Sequence, residues 1–141
     1  GVFSMDLQKA LEYRNSRNLF CKQLGITVTE LSLGYAKTVK EVTAEDVNPI
    51  GVAHGGLYFT MADAAAGSAM ASYGHKAVTL NAQYSFFRSA KPGDTLTAEA
   101  REVKHGGTVC VYDIAIHDQN GVCVGTGTFT FFDLKEPLNI E

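Results

Sequence analysis

From residue 78 to residue 86 apolar and polar side chains alternate: Val78, Leu80, Ala82, Tyr84 and Phe86 against Thr79, Asn81, Gln83 and Ser85. A two-residue period with one apolar face predicts a strand half-buried against a core. Three more strands are expected over residues 95–103, 108–117 and 122–132. The runs between strands are Lys91-Pro92-Gly93-Asp94, His105-Gly106-Gly107 and Asp118-Gln119-Asn120-Gly121, short and rich in turn formers. Short connections predict an antiparallel meander.

The first half of the chain follows other spacings. In residues 5–24, Leu7, Ala10 and Leu11, then Leu19 and Phe20, recur at loosely helical intervals, with Ser4 available as an N-cap and Gly25 as a stop. Residues 26–33 and 35–42, divided by Gly34, are rich in β-branched and aromatic side chains and predict two paired strands. Asp46, Asn48, Pro49 and Gly51 mark residues 45–52 as a loop. From Gly55 to Tyr73 the residues are apolar or small on every face, as in a helix enclosed by protein, and Gly74 ends the run. Ala62, Ala64, Ala65, Ala66, Gly67 and Ala69 let strands approach its axis while keeping helical propensity high. The expected architecture is one α+β domain over residues 1–141. An N-terminal helix occupies residues 1–24, and in the core, residues 26–133, an antiparallel sheet curls around the central helix.

Composition narrows the functions available. Twelve Lys and Arg against fifteen Asp and Glu give a formal charge of −3, without a basic stripe, so nucleic acid is not an expected partner. Three cysteines, Cys21, Cys110 and Cys123, sit in apolar segments and suit a reducing, cytoplasmic setting better than a disulfide framework. No secretory signal is expected from the opening residues. Asp63 near the middle of the long uncharged run argues against a membrane span. The four histidines are isolated, so no metal is expected.

Asp63 is the only charge between His54 and His75, in a helix that otherwise reads as core. Such a carboxylate either caps a backbone group or serves as general base or nucleophile in a dry cleft. His54-Gly55-Gly56 opens the same helix. Its glycines admit a ligand to the backbone, and the first helical N–H groups can receive an oxyanion. His54 and Asp63 are nine residues apart, about 13 Å on one helix, too far to serve one acyl carbon. If both act on it, a second subunit supplies one of them.

These residues resemble the hot-dog-fold acyl-CoA thioesterases of the PaaI-like, phenylacetate-pathway type. The likeness runs over residues 48–132 and rests on N-x5-HGG-x6-D (Asn48, His54 to Gly56, Asp63), the turn from Ala90 to Asp94, and the strand pair from Val111 to Gly121. It implies a homo-oligomer, a dimer or dimer of dimers such as a homotetramer, with acyl-CoA between subunits and no cofactor. It implies that Asp63 activates water or attacks directly, that the Gly55 N–H polarises the carbonyl, that His54 and Asn48 orient the thioester, and that Thr79 positions the water.

Around that centre Gly56, Tyr58 and Phe59 are candidate substrate contacts. Arg88 and Lys91, with Arg101 and Lys104, are candidates for the coenzyme A phosphates. His105 and Gly106 form a second His-Gly pair, best explained as a hairpin turn but kept as a candidate contact. Two other functions compete. Asp46-Val47-Asn48-Pro49-Ile50-Gly51 is similar to the Asp-x-Asn-Pro-x-His signature of hot-dog enoyl-CoA hydratases, with Gly51 where the histidine would stand. A non-catalytic acyl-CoA-binding protein would keep the same pocket. The sequence does not specify the acyl group.

Overall fold

The computed structural model describes residues 5–140. Six strands form one antiparallel sheet: β1 (Thr27–Ser32), β2 (Tyr35–Glu41), β3 (His75–Phe86), β4 (Thr95–His105), β5 (Val109–His117) and β6 (Cys123–Pro137). The sheet wraps around the central helix α3 (Gly55–Ala71), the arrangement of the hot-dog fold. The α3 residues Ala62, Ala65, Ala66 and Ala69 meet Ala36 of β2 and Ala98 and Ala100 of β4 in one core, all fully buried, and these small side chains are what allow the helix and sheet to close on each other. Thr38 of β2, also buried, donates its hydroxyl to the Met61 carbonyl at 2.9 Å and satisfies a polar group at that contact.

The strand order is β1-β2-β4-β5-β6-β3. β4, β5 and β6 form the expected meander, but β3 does not pair with β4. It crosses to the far edge and pairs with β6. Lys91-Pro92-Gly93-Asp94 is therefore no hairpin between those two strands. It closes against the end of β2, with Gly93 N–H donating to the Val42 carbonyl and Val42 N–H to the Asp94 carbonyl, both at 2.8 Å. Alternation identifies a strand without identifying its neighbour, which is why the sequence pattern did not expose the crossover.

The predicted apolar face of β3 is also corrected. Ala77 and Thr79 lie opposite Asp133 and Phe131, whereas Ala82 and Tyr84 lie opposite Phe129 and Gly127. Leu80 is the extra residue of a β-bulge between these two phases. Val78 and Leu80 consequently stand 52% and 58% exposed at the sheet edge instead of facing the core.

At the N-terminus the single expected helix is two, α1 (Leu7–Arg17) and α2 (Leu19–Leu24). Asn18 ends the first and caps the second, its side chain accepting from Cys21 N–H at 3.2 Å. Asp6 caps α1, accepting from Lys9 N–H at 3.1 Å. Ser4, the expected cap, lies outside the described residues. Asn15 fixes α1 to the sheet: its amide donates to the Val28 carbonyl at 2.9 Å and its oxygen accepts from Val28 N–H at 2.8 Å. Among the described residues no helix is long and apolar enough to cross a membrane, and no group of three His, Cys, Asp or Glu residues could hold a metal ion.

Candidate active site

Helix α3 starts at a corner that the preceding loop builds. Asp46 ends a 3-10 turn (Ala44–Asp46), and its carboxylate accepts from the Thr43 N–H at 2.7 Å and pairs with Lys40 at 3.1 Å. Both charged side chains are over nine-tenths buried. Burial pushes the Asp46 pKa up, but the hydrogen bonds from Thr43 and Lys40 outweigh it and hold the carboxyl below its ordinary range. The Asp46 carbonyl accepts from His54 N–H at 2.8 Å, so this pair sets the residue that caps α3.

Asn48 shapes the same loop. Its side-chain oxygen accepts from Ile50 and Val52 N–H at 3.1 and 3.3 Å, which turns the amide nitrogen into its remaining donor.

His54 is the N-cap of α3, and its Nδ1 accepts from Gly56 N–H at 2.8 Å. That bond makes Nδ1 the unprotonated nitrogen and leaves Nε2–H as donor. Gly56 N–H is thereby spent on the cap, whereas Gly55, the first residue of the helix, has an N–H that no helical carbonyl can reach. The ring of Phe86 covers Gly55 closely, since a Cβ there would come within 3.2 Å of it.

Asp63 lies two and a half turns along α3 and is half-buried, not enclosed as its sequence context suggested. Gly56, Thr60, Asp63 and Gly67 form an open stripe on a helix otherwise packed in protein. Thr79, turned inward by the bulge at Leu80, donates its hydroxyl to Asp63 Oδ1 at 2.6 Å. The pair borders a cleft of about 460 Å³ that runs along α3 from Thr60 to Ala71. A second cleft, about 310 Å³, lies at His54 and Gly56, and Phe20 and Thr60 border both. Within this chain the helix start and the carboxylate thus open into separate spaces.

The other candidates divide by position. Phe59 is 39% exposed and rests on Phe129, their ring centres 5.0 Å apart. Tyr58 is buried to 3% exposure, and its hydroxyl accepts from Ala90 N–H at 2.8 Å, so it packs the core and supports the loop instead of lining a cleft. Arg88 and Lys91 are exposed on the connection after β3, which Ala53 N–H joins at the Ala90 carbonyl beside the start of α3.

His105 and Gly106 sit elsewhere, in the β4–β5 turn beyond the other end of α3. His105 stacks on Tyr73 with ring centres 3.8 Å apart, and Gly106 N–H closes the turn on the Val109 carbonyl at 3.1 Å. The structure does not bring them to His54 or Asp63 of the same chain. Arg101 is likewise remote, paired with Glu99 at 3.0 Å. Cys110 approaches His105 Nδ1 at 3.4 Å but is fully buried, and burial pushes its thiol pKa up, which suits packing and not attack.

Two groups near Asp63 escaped the sequence reading. His75 Nδ1 lies 3.1 Å from both carboxylate oxygens of buried Asp133 and borders the Asp63 cleft. Arg14 borders it from α1. The signal for Arg14 was present: it continues the stripe of Leu7, Ala10 and Leu11 at the next helical interval, a charge on an apolar face.

Residues 50–124 match the family model described as Thioesterase superfamily. The acyl-coenzyme A thioesterase PaaI of Escherichia coli is 39% identical over 98 residues, covering 70% of each chain. The solved structure of the E. coli PaaI protein superposes with a TM-score of 0.84 at 31% identity, over 94% of this chain and 98% of that one. A Streptococcus mutans protein solved bound to acetyl-CoA superposes at 0.77 with 33% identity, over 80% and 91%. The family match spans the start of α3, Asp63 and the strands β3, β4 and β5, and the chain is a hot-dog-fold enzyme belonging to the thioesterase superfamily.

Proposed function

We propose that the chain hydrolyses acyl-CoA thioesters to free acid and coenzyme A, with the carbonyl bound at the start of α3 in one subunit and Asp63 supplied by its partner. The observation that carries this is the 2.6 Å bond from Thr79 to Asp63 Oδ1, which fixes the carboxylate in a cleft and leaves Oδ2 to act. The thioester oxygen accepts from Gly55 N–H at the positive end of the helix, where the developing oxyanion is stabilised. Asp63 then takes the proton of a water that adds to the carbonyl carbon, or adds to that carbon itself. The C–S bond breaks, and the thiolate leaves and is protonated; where Asp63 has added itself, a water then hydrolyses the resulting anhydride, releasing the free acid and restoring the carboxylate.

Support for a site shared between subunits comes from the open stripe of α3 and the edge strand beside it. β3 ends the sheet with Val78 and Leu80 outward, an apolar edge that a second copy of β3 would cover. His54 Nε2–H and the Asn48 amide face the thioester in this reading, and Arg88 and Lys91 serve the coenzyme A phosphates.

The hydratase reading loses its acid-base pair twice over. Gly51 offers no side chain, and Asp46 is buried against Lys40 and Thr43.

Thiol release from aryl- and fatty-acyl-CoAs, measured with wild type and Asp63→Asn side by side, tests the proposal. Loss of a general base lowers turnover by about 10²- to 10⁴-fold. Undiminished turnover in a folded Asp63→Asn protein would overturn Asp63 as the catalytic carboxylate, and acyl-CoA binding without release by wild type would favour a binding protein.

A further inference from the structure

The cleft beside Asp63 contains a cation with nothing to hold. Arg14 Nε is shut off from solvent and has no hydrogen-bond partner among the described residues. The guanidinium belongs to none of the ion pairs found there, Asp63 included. The other basic side chains on the cleft are accounted for: His75 is committed to Asp133, and Lys76 is exposed to water. Although Arg14 falls in the last turn of α1, where a positive charge favours the helix end, its terminal nitrogen has been carried across to α3. It lies 3.1 Å from where a Cβ of Gly67 would stand, so the glycine makes its room. The Asn15 clamp on Val28 fixes the helix that delivers it. Burial, the largest influence on this guanidinium, pulls its pKa down and outweighs the opposing influence of Cys21 and Asp63, neither of which pairs with it directly.

Gly67 is one turn beyond Asp63, about 6 Å along α3. An acyl group whose carbonyl carbon lies at Asp63 and whose chain follows the cleft toward Ala71 therefore brings its far end to Arg14 within a short span. A planar guanidinium recognises a carboxylate through two parallel hydrogen bonds, and does so best out of water. Resting on the thioesterase reading, we propose that Arg14 is a specificity residue that selects short acyl-CoAs ending in a carboxylate.

The test compares dicarboxylic and monocarboxylic acyl chains of equal length, glutaryl with valeryl and adipyl with hexanoyl. Binding is measured by calorimetry on the non-hydrolysable thioether analogues of these CoA esters, and hydrolysis separately on the thioesters. Wild type is expected to bind the dicarboxylic member of each pair roughly 10- to 100-fold more tightly, the worth of charge-assisted hydrogen bonds. Arg14→Met should erase that preference while sparing the monocarboxylic analogues, and Arg14→Lys should restore part of it. Gly67→Ala retains Arg14 and favours the helix, yet crowds the guanidinium. It should reduce the same preference in a protein that still folds, as a thermal melt run alongside checks.

Equal binding of both members by wild type, or equal losses for both in Arg14→Met and Gly67→Ala, overturns the proposal. A preserved binding preference without thiol release from any thioester would retain Arg14 as the reader of the acyl terminus and refute hydrolysis instead.

Discussion

Thr79 of β3 and Asp63 of α3 are joined by a hydrogen bond of 2.6 Å that the bulge at Leu80 makes reachable. The hydroxyl occupies one carboxylate oxygen and orients the other, so in the proposed mechanism Thr79 positions the group that acts. Thr79→Ala should lower kcat about tenfold or more, the scale of one hydrogen bond to a charged group, with KM little changed. Thr79→Ser should recover most of the loss. Steady-state kinetics on all three proteins check this, and a loss confined to KM would refute it.

His54 carries two roles that substitution can separate. Its Nδ1 caps α3, and its Nε2–H is free to donate. His54→Ala should cost about 1 kcal/mol of stability through the lost cap, whereas His54→Asn supplies a side-chain oxygen and should keep most of it. Alanine removes the outward donor, and the shorter asparagine amide withdraws it from the position of Nε2, so both should reduce kcat/KM. Thermal melts paired with kinetics check the split. Full activity in His54→Asn would leave the capping role alone.

The apolar edge of β3 predicts assembly. Leu80→Lys places a charge on a side chain that is 58% exposed in the single chain, so the fold should persist while association fails. Sedimentation should show a shift to monomers, with activity falling in parallel. An active monomer would refute a site shared between subunits.

Acid should loosen the loop that carries His54. The folded Asp46 carboxyl has its pKa depressed by Thr43 and Lys40 against the opposing effect of burial, so ionisation favours the native state. Its contribution is fully present above the unfolded value of about 4. It is lost as pH falls through the lower folded value. Asp46→Asn should therefore be less stable than wild type at neutral pH, with the difference shrinking below about pH 4. Denaturant unfolding across this range checks the sign, and a constant difference would dissociate the effect from Asp46 ionisation.

The parts of this molecule that sequence made legible depend on local pattern. His54-Gly55-Gly56 and Asp63 stand out because glycines at a helix start and a charge in an alanine-rich helix contradict ordinary core composition. The inward face of β3 was misread because Leu80 looks like any alternating residue, and a bulge is written in pairing with β6 that the local sequence does not contain. The β3 crossover escaped for the same reason. Tyr58 matched an acyl-pocket residue by chemistry, but its neighbour Ala90, thirty-two positions away, decides that it is core. Arg14 is also written locally, as a charge on the apolar stripe of Leu7, Ala10 and Leu11, but its place beside Gly67 depends on packing between helices far apart in sequence.

The bulge at Leu80 also sets how this protein can change. On a regular strand Thr79 and Ala82, three positions apart, would point to opposite sides, yet here both face the helix. The strand is two frames spliced at one residue: the first faces Asp63, the second the aromatic packing around Tyr84. Point substitutions can tune either frame independently. Deleting Leu80 cannot, because it forces the chain to surrender either the hydroxyl or the packing. Variation in this enzyme should therefore tolerate exchange of Leu80 for another apolar residue far better than its loss.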